Sequence, residues 1–349
     1  MKSLWRVLGA GLTLFVAAFF GGMVTAAAPA PWSPLTARAN TTYYVSPMGN
    51  NENSGLSPTA AWKTIQKLNE VIFQPGDRIL FQRNGVWSGQ TFEPQGNGNL
   101  ISGRWITVGA YGKGEKPVLA GHGRLASLIR FDSKSFTGGW VISNLTLTGA
   151  KMGLVAIRSP SAPADGLVVE YCAFSDMTGN ALGAGKNPGY PVSVFTSYDL
   201  YLHGIDHVTI QNSQFAYSDM AFDIRWANHV LVKDITVSHT YHEGVWFSAS
   251  NDVVMTDSQV YDVGTKGMSW GTAGVEFNGG TNILLSHTVI AYVQAPNLVD
   301  GVRVDFEEND VNATVNHVNI HGCMGPAFLI MENPGWGTPG MKKYQRVSH

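Results

Sequence analysis

The sequence predicts an all-β solenoid whose coils each contribute three short strands. Three observations carry this expectation. A five-residue phrase recurs as Ala221-Phe222-Asp223-Ile224-Arg225, Gly244-Val245-Trp246-Phe247-Ser248, Gly274-Val275-Glu276-Phe277-Asn278, Gly301-Val302-Arg303-Val304-Asp305 and Ala327-Phe328-Leu329-Ile330-Met331. Each copy is a small residue followed by alternating apolar and variable positions, which is strand periodicity with the apolar pair on one face. A second phrase, four strand residues, a polar corner and three more, runs from Trp140–Leu147 through Leu167–Phe174, Val208–Phe215, Val230–Val237, Val253–Val260 and Ile283–Ile290 to Ala313–Ile320. Its corners, Asn144, Tyr171, Asn212, Asp234, Asp257, His287 and His317, are 22 residues apart from Asn212 to Asp234 and 23 from Asp234 to Asp257, rising to 30 and 41 elsewhere. A regular period of this size marks stacked coils. Third, 40 Gly and only 14% charged residues favour a turn-rich β chain over one with charged surface helices.

Length and charge set the frame. At 349 residues the chain suits one large domain, and a net charge of -2 gives no basic footprint for nucleic acid. Lys2 and Arg6 precede an apolar run from Val7 to Val24, with small-residue cleavage sites around Ala26–Ala30, which reads as a signal peptide over 1–28. The alternative is an uncleaved anchor, since the run approaches spanning length. A linker follows over 29–41, then one domain over 42–349, with an N-terminal cap at 42–104, coils at 105–334 and a tail at 335–349. The expected product is exported, to the medium, periplasm or cell surface, with no stable membrane association after cleavage, and monomeric. Trp336–Val347 either folds over the last coil, or the sequence is a fragment that lacks further coils.

In the cap, Tyr43–Val45 starts a strand, and Ile65, Leu68, Val71 and Ile72 lie at helical spacing within Lys63–Phe73. Pro75-Gly76-Asp77 ends that helix, and strands resume at Arg78–Phe81, Gly85–Trp87 and Leu100–Val108. The order Tyr44-Val45-Ser46-Pro47, Gly49-Asn50-Asn51, Trp62-Lys63-Thr64-Ile65 and Pro75-Gly76-Asp77-Arg78-Ile79-Leu80-Phe81 resembles the opening of secreted, pectate-lyase-like β-helix proteins, among them polysaccharide lyases and glycoside hydrolases. The resemblance implies a right-handed three-sheet parallel β-helix (solenoid) with a short N-terminal capping α-helix, acting on a polysaccharide.

The five-residue phrase then forms a first sheet, the strand before each corner a second, and the strand after it a third. Length variation falls between third and first strands, at Ser175–Tyr190, Asp262–Ala273 and Tyr292–Asp300, so a cleft is expected beside the first sheet. In rung register, one column reads Asp223, Trp246, Glu276, Arg303 and its neighbour Arg225, Ser248, Asn278, Asp305. Glu276 and Asp305 would then have Cα atoms roughly 8 Å apart, and Asp223 and Glu276 roughly 9.6 Å. Paired carboxylates suit glycosidic hydrolysis, wider gaps suiting inversion. Asp223, Glu276, Asp305 and Arg303 are therefore the catalytic candidates, Arg303 holding one carboxylate ionised while its neighbour keeps a proton. Trp246 offers a face for a sugar ring; His242, Tyr241, Arg225 and Asn278 are further substrate contacts. The bland alternative is that these residues form rung-to-rung charge pairs.

Asp305, Glu307 and Glu308, with Asp310, offer oxygens for calcium. The resemblance to the lyases gives that ion a role, neutralising a uronate while Arg225, Arg303 or Lys266 removes a proton. A hydrolase requires no cofactor. The readings are thus a glycoside hydrolase, a calcium-assisted lyase, or a non-catalytic carbohydrate-binding β-helix. The paired-aspartate, Gly-His-Gly and Arg-x-Lys signatures of polygalacturonases are absent. His207, His229, His287 and His317 sit in matching turns and corners and are read as structural. Cys172 falls in an inward stack, and Cys323, five coils on, would be on the order of 24 Å away, too far for a disulfide.

Overall fold

A computed structural model of the chain describes residues 40–177, 197–266, 272–296, 301–322 and 324–331, with backbone alone at 345–347. The signal segment 1–28, the linker up to residue 39, Cys323 and most of the tail lie outside the described residues, as do 178–196, 267–271 and 297–300 in or beside the three variable loops.

Side-chain alternation builds each coil. In Met220–Arg225, Phe222 and Ile224 are buried; Asn228–Lys233 adds Val230 and Val232, and Thr236–Ser238 adds Val237. Glu243–Ser248, Asn251–Thr256 and Gln259–Val263 repeat the pattern one coil on, each pairing in parallel with its counterpart. Among the described residues the first, second and third sheets hold 8, 11 and 9 strands. Strand-to-parallel-strand connections take the right hand, and the result is a right-handed parallel β-helix. No helix among the described residues is long and apolar enough to cross a membrane.

The corners behave as the residue types demand. All seven adopt left-handed backbone, with φ between 46° at His287 and 57° at Asn144. Asn and Asp do this at low cost because their short side chains bond locally. His287 and His317 gain a partner instead, their rings stacking at 4.9 Å. His207 and His229, also at positive φ, stack at 4.7 Å. Inside the corner, Ser213 and Ser258 are buried yet satisfied, their hydroxyls donating to Gln211 and Thr256 carbonyls at 2.8 and 2.7 Å. Cys172 holds the same position one coil earlier, fully buried, its thiol pushed up to about 12 by burial. It is a packed residue with no nucleophilic character.

The capping helix is shorter than its periodicity suggests. It spans Ile65–Asn69, capped by Thr64, whose hydroxyl accepts from the Lys67 amide, and it buries Ile65 and Leu68. Ile72–Phe73 leaves the helix to pair with Gln95–Gly96. This turns Phe73 into the core and Ile72 outward. Second-sheet strands begin at Thr42–Val45 and Arg78–Gln82. At the other end, Gln345–Val347 pairs with the second-sheet strand Val311–Asn316.

Candidate active site

Four phenylalanines set the register of the first sheet. Phe247, Phe277 and Phe306 stack at 5.3 Å per step with rings within 15° of parallel, and Phe222 meets Phe247 edge-on at 5.8 Å. Phe277 therefore pairs with Phe306, and Glu276 with Asp305. The reading that placed Val304 opposite Phe277 was out by two residues, because aligning the small residues Gly274 and Gly301 ignored this inward stack. The corrected outward column runs Tyr201, Asp223, Trp246, Glu276, Asp305, Leu329. Arg303 drops out of it, and Glu276 and Asp305 become direct neighbours, about 4.8 Å apart at Cα instead of 8 Å.

Outward here does not mean exposed. Asp223, Glu276, Asn278, Arg303 and Asp305 are all buried. Such carboxylates demand partners or a shared proton. Asp223 has its partner: Arg225 Nε and Nη2 donate to its two oxygens at 2.7 and 2.9 Å. His203 Nε2 lies 3.5 Å from Asp223 Oδ1. Burial alone would lower the Arg225 pKa, but the hydrogen bonds and charge of Asp223 raise it. The guanidinium lies 4.3 Å over the Trp246 ring, a cation–π contact that helps to fix it.

Glu276 and its neighbours form the second half. Burial pushes the Glu276 carboxyl well above the usual carboxylate range, and the charges of Glu243, Asp305 and Glu307 push it further; Asn278 Nδ2, donating at 3.4 Å, opposes this weakly. Glu243, at the start of Glu243–Ser248, is raised in the same way by burial and by Asp305, Asp223 and Glu307. Its Oε2 is buried without a hydrogen-bond partner. Several carboxylates sharing one buried site cannot all ionise, so protons are retained there.

Other expected residues stand apart. The Arg303 guanidinium donates to the Gly325 carbonyl and pairs with neither Glu276 nor Asp305, so its expected part as their counter-charge is not seen; burial lowers its pKa. Lys266 caps the Tyr241 ring at 3.5 Å, and His242 Nδ1 lies 3.7 Å from Asp219 Oδ1. Tyr241 and His242 lie on the turn leading into Glu243, with Lys266 and Asp219 packed against them from the neighbouring coils. Asp310 ties its coil to the preceding one by accepting from the Gly280 amide at 2.6 Å, and Glu308 occupies a left-handed turn. Among the described residues, no three His, Cys, Asp or Glu side chains are grouped as a metal site.

Four residues of the site escaped sequence reasoning: Glu243, Tyr198, Tyr201 and His203. The Tyr198 and Tyr201 rings meet at 4.8 Å and those of Tyr201 and His203 at 4.1 Å, both tilted by a little over 40°, extending the aromatic and polar surface on the Asp223 side. Burial first, then Asp223, raises both tyrosine hydroxyls, which remain donors at neutral pH. The alternation Leu200-Tyr201-Leu202-His203 was the available signal, one coil before the recognised phrase. Glu243 lay one residue outside the phrase and gave none.

The Asp223–Arg225 pair carries a stability prediction. Arg225→Ala leaves a buried carboxylate uncompensated and is expected to cost about 2–4 kcal/mol, somewhat under a fully buried pair because Arg225 keeps some solvent contact. Thermal unfolding measures this; an unchanged midpoint would show that Asp223 finds another partner.

The chain resembles known proteins. It is 28% identical over 219 residues to a lacto-N-biosidase of Bifidobacterium longum subsp. longum, a match covering 54% of this chain but only 13% of that much longer protein. Two solved structures share the fold: XylC in complex with xylose (10% identity, TM-score 0.53, covering 80% of this chain and 70% of that one) and an alginate lyase from a Paenibacillus species (13%, TM-score 0.50, 82% and 99%). A family model described as a right handed beta helix region matches residues 129–335. That span holds the corner ladder, the phenylalanine stack and the carboxylate column, and the chain belongs to the right-handed β-helix family.

Proposed function

We propose that this chain is a glycoside hydrolase acting on a neutral glycan outside the cytoplasm. The observation that carries this reading is the pairing of Glu276 with Asp305 beside Trp246, in a site where, among the described residues, five carboxylates (Asp223, Glu243, Glu276, Asp305, Glu307) meet the cation of Arg225. Glu276 keeps its proton at a pH where a free glutamate has lost it, as a general acid must. It protonates the glycosidic oxygen while Asp305 attacks the anomeric carbon. Water then cleaves the glycosyl-enzyme bond, with Glu276 now the base. One-rung spacing, about 4.8 Å, matches the roughly 5–5.5 Å carboxyl separation of retaining enzymes and falls short of the 6.5 Å or more needed for inversion. Trp246 supports the sugar ring, and Glu243 sustains the raised pKa of Glu276. The lacto-N-biosidase relative favours hydrolysis among the chemistries found on this fold.

A uronate lyase finds less support. Its substrate is anionic and needs free cations, whereas Arg225 is tied to Asp223, Arg303 to the Gly325 carbonyl and Lys266 to Tyr241.

The test is turnover of neutral and uronate glycans, reading reducing ends, ultraviolet absorbance and, by NMR, the first-formed anomer. Reducing ends with retained configuration are expected, and kcat/KM falls on the alkaline side as Glu276 loses its proton, at a pH above the 4.5 of an ordinary glutamate. An unsaturated, ultraviolet-absorbing product from a uronate polymer would replace this reading with a lyase.

A further inference from the structure

We propose that the pocket bounded by Glu93, Gln95, Arg130, Asp132, Val155 and Ile157 is a distal subsite that binds a neutral sugar residue of the same glycan chain. This deepens the hydrolase reading and rests on it for the substrate class. The pocket has a volume of about 530 Å³, within the range of small-ligand sites. It sits on the sheet face that carries the carboxylates: Arg130, Val155, Tyr201, Asp223, Trp246 and Glu276 are paired rung by rung in one column. Ile157, His203 and Arg225 run beside them. Five rungs of continuous strand pairing, about 24 Å, therefore separate Arg130 from Glu276 on one sheet face. A sugar unit in an extended chain is close to one rung in length, and Tyr201 and Trp246 supply flat surfaces on the way.

The pocket is built in advance. Arg158 Nη1 donates to the Ser133 and Lys134 carbonyls at 2.8 and 3.1 Å, Ser135 Oγ to Asp132 Oδ2 at 2.7 Å, and Asn97 Nδ2 to the Ser135 carbonyl at 2.9 Å. Phe131 stacks on Phe136 beneath this loop at 4.3 Å. A ligand therefore meets a wall already ordered, which lowers the entropic cost of binding. Val155 and Ile157 form an apolar floor, and the exposed Glu93 and Arg130 offer acceptor and donor to hydroxyl groups. Two carboxylates, Glu93 and Asp132, against one guanidinium favour a neutral residue over a uronate.

The experiment uses the full chain carrying Glu276→Gln, so that binding is read without turnover. Neutral β-linked gluco-, xylo- and N-acetylglucosamine oligomers, dimers through octamers, are titrated by calorimetry. Octamers of one series are expected to bind more tightly than dimers. Arg130→Ala and, separately, Ile157→Ser, both at exposed positions, should weaken octamer binding about tenfold, or 1.4 kcal/mol, and leave dimer binding unchanged. Equal loss for both lengths, no loss for octamers, or no binding by any oligomer overturns the subsite. If octamers bind through the pocket but the wild type cleaves none of them, the hydrolase reading fails and the subsite stands. If cleavage is efficient and unaffected by either substitution at every length, the subsite fails and hydrolysis stands.

Discussion

Glu276→Gln is expected to lower kcat by about 10²–10⁴-fold, the range that a positioned general acid contributes, while oligosaccharide affinity changes little. Glutamine keeps the shape and the contact with Asn278 but has no proton to give. The same substitution also acts on stability, and in the opposite sense. A carboxyl whose native pKa lies above its unfolded value holds its proton more tightly in the folded chain. Stability from that group is complete below the unfolded value, near 4.5, and declines as pH rises towards the raised native value. Replacing Glu276, or Glu243 with its orphaned oxygen, by glutamine removes that loss. Both variants should therefore melt at higher temperature than the wild type at neutral pH, with the difference shrinking below the ordinary glutamate range. A variant that keeps its activity would remove Glu276 from the mechanism; one that melts lower would show that the carboxylate is ionised and paired.

The largest expected loss of stability comes from Phe277→Ala. Phe277 is fully buried between Phe247 and Phe306, and truncating such a side chain costs about 3–5 kcal/mol. In a solenoid each coil touches only its neighbours, so the damage concentrates at the interfaces on either side of that rung. Those interfaces align Glu276 with Asp305. Activity should therefore drop at least tenfold at temperatures where the chain remains folded, and Phe277→Leu should restore most of both. Denaturant unfolding followed alongside turnover checks this. Equal stability with normal turnover would mean that backbone pairing alone holds the register.

The solenoid was legible because its signals are local and repeated. Asn212, Asp234 and Asp257 recur at the coil period, and one residue type at one spacing suffices to place a left-handed corner. The burial of Cys172 followed from the same register. The site was legible only in part. Asp223, Trp246, Glu276 and Asp305 were found because polar residues interrupt an alternating phrase. The register of Asp305 against the other three was not, because Gly274 and Gly301 look equivalent in sequence and only the facing phenylalanines decide between two alignments. Arg303 failed as a counter-charge because sequence shows where a strand position points, not which carbonyl captures a long side chain. Glu243 was missed because its ionisation is governed by carboxylates on other coils, a relation that has no trace along the chain.

The phenylalanine stack has a consequence for how chemistry can vary on this scaffold. Carboxylates mounted in one column of a sheet face are separated by whole rungs, so within a column the distance available to a reaction comes in steps of about 4.8 Å. One step lies near the gap for a covalent glycosyl intermediate, and two steps exceed the lower limit for admitting a water between acid and base. Adding or deleting a single coil between two such residues, an event that leaves every other coil intact, would exchange one stereochemical outcome for the other. On a ruler with such coarse divisions, stereochemistry changes by counting coils and not by gradual adjustment.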